Sequence, residues 1–197
     1  MKVLIACEYS GRVREEFRKF GHDAWSCDLL ESEDNSPYHI VGDCLSILGD
    51  GWDLMIAHPP CTRLANSGVR WLHERELWSE LDEAVAFYLA LRNAPIQKKC
   101  LENPVMHKYA RERLGEVSRQ VVQPWWFGDP TFKATGYELH GLPELVPTDK
   151  LTPPAIGTEE HKAWSWIHRC PPGPERWKIR SRTPHGIAKA MAHQWGV

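Results

Sequence analysis

Apolar positions along the chain fall into short continuous runs separated by amphipathic stretches. Residues 2–6, KVLIA, form one such run; CEYSGRV breaks it, and Val13, Phe17 and Phe20 then recur at helical spacing over 12–20. The order is strand, turn, helix. HDAWSCDLL gives a second strand ending at Asp28, YHIVGDC a third with a Gly-Asp turn at Asp43, and WDLMIAHPP a fourth. Residues 77–93 hold the strongest helical pattern, with Leu81, Val85, Tyr88 and Leu89 on one face and Asn93 and Pro95 as the stop. IQKKCLENP gives a fifth strand, MHKYARERLG a short helix closed by Gly115, and VSRQVVQPW a sixth strand. Strands alternating with helices predict an α/β fold, a mostly parallel sheet with helices on both faces. Beyond 142 the periodicity fades among prolines. Residues 142–184 read as an irregular arm, and 185–196 as a closing helix with Ile187 and Met191 on one face.

Length and composition fit a single domain over 1–197, with hydrophobic residues at 42%. The net charge of -2 excludes a generally basic nucleic-acid binder, so any basic surface is local. One such stretch exists. Residues 161–189 carry Lys162, Arg169, Arg176, Lys178, Arg180, Arg182 and Lys189 against the single acid Glu175, with Trp164, Trp166 and Trp177 interleaved. No apolar run approaches the ~20 residues of a membrane span, and the N-terminus turns polar too soon for a signal peptide. A cytoplasmic monomer with no membrane partner is expected. The 6 cysteines contain no CxxC pair and the 10 histidines no HxxxH or HxH pair, so no metal site is expected. Cys7, Cys27 and Cys100 sit in apolar runs and read as inert core thiols.

In open parallel sheets, ligands bind beyond the carboxyl ends of the strands. This chain places Glu8, Ser10 and Gly11 after its first strand, Asp28 after the second and Asp43 after the third. His-Pro-Pro-Cys61 follows the fourth, and Glu102-Asn103-Pro104 the fifth. The acids suit a nucleoside cofactor, although Asp28 and Asp43 each read equally well as turn residues. The loop after the first strand lacks GxGxxG, so a dinucleotide phosphate cradle is poorly supported. S-adenosylmethionine carries no phosphate and needs none. Cys61 follows Pro59 and Pro60, which stiffen the backbone and aim the thiol. A thiolate beside a carboxylic acid suits addition to C6 of a pyrimidine while the acid engages N3. For that task Glu102 is expected to be desolvated, with a raised pKa. His58 adjoins the nucleophile; it favours a thiolate or serves as a hydrogen-bonded loop residue.

These residues resemble the cytosine-C5 DNA methyltransferases, in particular the short forms of phage and prophage genomes. HPPCTRLANSG is similar to the family's Pro-Cys-Gln motif and its following loop, with Pro60, Cys61, Ser67 and Gly68 in register, and LENPV resembles its Glu-Asn-Val. The resemblance implies a Rossmann-like class I S-adenosylmethionine-dependent methyltransferase fold. It implies Cys61 as nucleophile and Glu102 as acid, with Asn103 beside it. It further implies Glu8, Ser10, Gly11, Asp28, Asp43 and Pro59 on the cofactor side, Asp28 taking the ribose. WFGDPTFKATGYEL looks like the family's Tyr-Gly-x-Pro-Gln-x-Arg-x-Arg segment, with Thr131, Lys133 and Thr135 in place of Gln, Arg and Arg. Lys133, Arg180 or Arg182 then substitutes on the substrate, with Pro60 and Arg63 nearby. The family's large target-recognition domain has no counterpart here. The implied activity is methyl transfer from S-adenosylmethionine to C5 of cytosine in DNA through a Cys61 adduct. The alternatives are C5 modification of single-stranded DNA or free deoxycytidine nucleotide, and an inactive methyltransferase-fold DNA-binding module.

Overall fold

A computed structural model of the chain describes residues 1–103, 105–115 and 119–197. Pro104 of the expected fifth strand and residues 117–118 of the expected sixth lie outside the described residues. The first four strands are β1 (Lys2–Ala6), β2 (Asp23–Asp28), β3 (His39–Val41) and β4 (Leu54–Ala57). They are joined by β5 (Lys98–Asn103), β6 (Arg119–Val122) and β7 (Thr135–His140) in one sheet of order β3-β2-β1-β4-β5-β7-β6. Pairing is parallel from β3 through β5, and β7 alone runs against the rest. The central strands are apolar because both faces are covered. Val3, Leu4, Ile5 and Ala6 of β1 have no exposed area, nor have Leu54, Met55, Ile56 and Ala57 of β4. Each large aliphatic side chain buried there stabilises by about 1.5–3 kcal/mol relative to exposure.

One face of the sheet carries α2 (Val69–Glu74), α3 (Trp78–Arg92) and α4 (Lys108–Leu114) against Leu4, Met55 and Leu101. The other carries α1 (Arg12–Lys19) and α8 (His185–Trp195) against Val3, Ile5, Leu54 and Ile56. The expected α/β architecture is therefore present. Details differ. Phe20 does not extend the buried stripe of α1: it lies past the last turn, 46% exposed, with its ring against His193. In α3 the buried face is Leu81, Val85, Tyr88 and Leu91, since the last turn rotates Leu89 toward the margin. β7 has no apolar signature. Its Gly136 and Glu138 are buried, and Glu138 is stabilised by Arg92 and Tyr88 from outside the strand and by His140 two residues along it. The arm is not wholly irregular. It contains α5 (Glu159–Trp164), α6 (Trp166–Arg169) and α7 (Arg176–Ser181).

Candidate active site

The chain leaves β1 for β2 on one side and continues through β4 to β5 on the other, so a crevice opens between the ends of β1 and β4. Two groups of residues flank it.

On the β1 side, Cys7 adopts positive φ (59°), and the chain turns at once into the buried Glu8. The Glu8 carboxylate accepts hydrogen bonds from the amides of Val13 (2.8 Å) and Arg14 (3.3 Å), and from the Ser10 hydroxyl at 3.4 Å. It caps the first turn of α1, whose amides are then unavailable to a phosphate. Burial raises the Glu8 pKa; His58 and the two amides oppose that rise. Gly11 must be glycine, because φ is +70° and a Cβ would lie 2.3 Å from the Arg14 guanidinium. Arg14 itself is fully buried, bonded to Ser26 and paired with Asp34. Asp28 accepts from the Leu30 amide at 3.0 Å, and Asp43 from the Leu45 amide at 2.9 Å, each with one carboxylate oxygen. Cys7 packs at the margin of the core and is not fully enclosed by it. It is half-buried at the crevice with its sulfur 3.7 Å from that of Cys44, an interaction that, with burial, pushes the Cys7 thiol up.

On the β4 side, His58 continues the ladder by donating its amide to Ala6 O (2.9 Å). Pro59 is buried, Pro60 is exposed, and Cys61 follows, exposed, at the start of a tight turn: the Leu64 and Ala65 amides both donate to its carbonyl. Gly68 closes this loop, and a side chain there would stand 2.3 Å from Thr62 O. The loop is fastened to the segment after β5. Asn66 donates its amide to Val105 O, His107 donates its amide to Leu64 O, and the His107 Nε2 bonds Arg63 O at 2.7 Å. The loop that carries Cys61 beyond β4 is thereby cross-linked to the segment that follows Glu102 on the adjacent β5.

Glu102 lies between an imidazole and an ammonium group. His58 Nδ1 is hydrogen-bonded to one carboxylate oxygen, and Lys133 Nζ lies 3.8 Å from the other. Burial works to raise its pKa, but Lys133 and then His58 outweigh it and hold the carboxyl at about 2. The expectation of a raised Glu102 is thus reversed, because Lys133 and His58 accompany it into the site. Burial presses His58 toward neutrality; Glu102 first and Glu8 second overcome this and raise its pKa. Cys61 has exposed surface, yet protein atoms crowd its thiol. That crowding first, and the Glu102 charge second, raise the thiol, while Lys133 and Arg180 work the other way.

Of the residues singled out by sequence, Cys61, Glu102 and Lys133 come together, with Arg180 near enough to act on the thiol. Asn103 adjoins Glu102 and is buried, with both amide atoms unpartnered among the described residues. Arg63 and Arg182 do not face this cluster: Arg63 pairs with Glu80 on α3 at 2.7 Å, and Arg182 forms a two-pronged pair with Glu33. The arm folds over the loop after β1. Tyr9 donates its hydroxyl to Lys178 O, its ring lies 5.7 Å from that of Trp177, and Arg12 donates to Thr183 O. Beneath it is a pocket of about 130 Å³ lined by Arg12, Asp129, Trp166, Arg182 and His185. Sequence reading missed this pocket and the His58–Glu102 pair. For the second, the one signal was the position of His58 at the strand end. Among the described residues, no cluster of three or more His, Cys, Asp or Glu side chains is placed to hold a metal ion, and no helix is long and apolar enough to cross a membrane.

No protein-family model and no curated protein matches the chain. Among solved structures, a prophage-encoded protein from E. coli described as a DNA modification methyltransferase is similar at 16% identity and TM-score 0.51, covering 76% of this chain and 51% of that one. The Entamoeba histolytica methyltransferase EhMeth is similar at 14% identity and TM-score 0.52, covering 76% of this chain and 57% of that one. The fold is therefore a Rossmann-like methyltransferase fold. The chain spans little more than half the length of these structures.

Proposed function

We propose that the protein transfers a methyl group from S-adenosylmethionine to C5 of cytosine in DNA through a covalent bond between Cys61 and C6. The observation that carries this reading is the cross-linked pairing of an aimed cysteine with a buried carboxylate on the neighbouring strand. The methyl donor is supported by the cap on α1. With Glu8 occupying the first-turn amides, the crevice suits a phosphate-free nucleoside better than a dinucleotide. Asp28 would take the ribose hydroxyls and Asp43 the adenine amino group. Arg12 and His185, in the pocket beside Gly11, would face the carboxylate end. When bound, S-adenosylmethionine supplies the electrophilic methyl group.

The remaining work falls to the chain's own side chains. The Cys61 sulfur donates an electron pair to C6, and the C5–C6 π pair moves into the ring, making C5 nucleophilic. Glu102 engages the N3 edge, and Lys133, paired with Glu102, would meet the pyrimidine carbonyl. Exposed Trp71, over which Arg70 and Arg75 stack at 5.3 and 4.4 Å, lies just past the nucleophile loop. An aromatic ring flanked by cations supports DNA whose target base is unstacked, either flipped from a duplex or presented on a single strand.

DNA carrying 5-fluorocytosine tests the reading, because fluorine cannot leave as a proton and the adduct accumulates. The protein should form an adduct stable to denaturation, and Cys61→Ser should reduce its yield by at least about a thousandfold. Equal trapping by Cys61→Ser would reject the assigned nucleophile. Tritium release from C5-labelled duplex, single strand and deoxycytidine nucleotide then ranks the substrates.

A further inference from the structure

A pyrimidine becomes an acceptor for the Cys61 sulfur only if N3 gains a proton as the adduct forms. Glu102 does not hold that proton in the free protein, because Lys133 and His58 keep it ionised. His58 sits directly behind it. Its Nδ1 is on the Glu102 carboxylate, its side chain is 11% exposed, and its Nε2 is buried with no partner among the described residues. The charged groups that face His58 are Glu102 from β5, Glu8 from the loop after β1 and Lys133 from the loop before β7. Two carboxylates against one ammonium leave the imidazole as the group that balances the cluster by carrying a proton.

We infer that His58 is a positioning residue that stores the proton for N3 and delivers it through Glu102. This rests on the pyrimidine-C5 reading above. As the Cys61 thiolate, its proton already lost to solvent, forms the S–C6 bond, the displaced π electrons reach N3. His58 Nδ1 gives its proton to the Glu102 carboxylate, the N–H bond breaking and leaving its electrons on a neutral imidazole, and Glu102 passes the proton on to N3. When a base, here solvent water or hydroxide, takes the C5 proton and the C6–S bond breaks to release the Cys61 thiolate, the N3 proton returns through Glu102 to His58.

The test is the pH dependence of adduct formation with 5-fluorocytosine DNA. His58→Gln retains an amide donor for Glu102 and cannot store a proton. The ratio of wild-type to His58→Gln trapping rates should exceed about tenfold in mild acid. It should then fall by about tenfold per pH unit once His58 discharges. A purely structural role predicts a ratio that is constant between about pH 6 and 9, and that result would overturn the proposal. A second measurement avoids dependence on the variant's folding. Histidine carbon and nitrogen shifts in the wild-type protein should show His58 protonated when free and neutral in the trapped adduct at the same pH. Persistence of the imidazolium in the adduct would equally reject the relay. Absence of any adduct at every pH would instead reject the parent reading, so the two failures are distinguishable.

Discussion

The two sides of the crevice carry similar residues and use them differently. On the β1–β3 side, each acid has at least one oxygen committed to neighbouring backbone. Glu8 caps α1, Asp28 closes a turn, and Asp43 caps the short helical turn that follows it. On the β4–β5 side, Glu102 accepts no backbone hydrogen bond among the described residues, and its partners are the side chains of His58 and Lys133. An acid at a strand end is thus either tied into the local framework or held by side chains brought from elsewhere in the chain. What separates the two is whether an amide within a few residues has claimed it.

The sharpest way to break this contrast is Glu102→Gln. It should lower the trapping rate by about a hundredfold or more while the protein remains folded. The pH dependence of stability should change as well. The folded pKa of Glu102, about 2, lies below its ordinary value of 4.5. Its ion pairs therefore contribute stability above the ordinary value, and lose it as pH falls toward about 2. Urea unfolding across that range should show an acid limb that Glu102→Gln flattens. His58, with its raised pKa, contributes stability that is lost as pH rises through its folded value, and Glu102→Gln should remove that limb too.

Glu8 should behave in the opposite sense. Its folded pKa is raised by burial, so its ionisation opposes folding and stability declines as pH rises through that value. Its capping role dominates a truncation: Glu8→Ala should cost about 1–2 kcal/mol in urea unfolding, whereas Glu8→Gln, which keeps an acceptor for the amides, should cost less. Smaller again is Asp28→Ala. If its free oxygen takes the ribose, calorimetry with S-adenosylmethionine should show affinity reduced by about tenfold or less. An unchanged affinity would make Asp28 a turn residue alone. Arg63→Ala removes a partly exposed ion pair with Glu80 and should change stability by no more than about 0.5–1 kcal/mol.

The same contrast explains what was legible in the sequence. β1 and β4 announce themselves because strands covered on both faces are continuous apolar runs. Cys61 and Glu102 stand at strand ends, where a linear reading looks for ligands. β7 was illegible because its central Glu138 is acceptable only once Arg92 and Tyr88 arrive from α3. The charge state of Glu102 was misjudged for the same reason. Desolvation can be inferred from a strand, whereas the ammonium of Lys133 is brought in by a loop distant in the chain. The basic arm also looked uniformly available. In the fold Arg182 is engaged by Glu33, and Lys178 and Thr183 anchor the arm to the loop after β1 through their carbonyls.

The fastening of residues 61–66 to 105–107 bears on how this protein tolerates change. Bonds from Asn66 to Val105 and from His107 to Leu64 and Arg63 close a small ring of chain around Cys61 and Glu102. Everything between, α2, α3 and the turn into β5, leaves and re-enters that ring. Insertions at exposed points of this excursion, such as the turn at Glu76, would lengthen the loop without altering the spacing of Cys61 and Glu102. The spacing of Cys61 and Glu102 is insulated from the segment of chain that separates them, and new recognition elements have a place to be grafted.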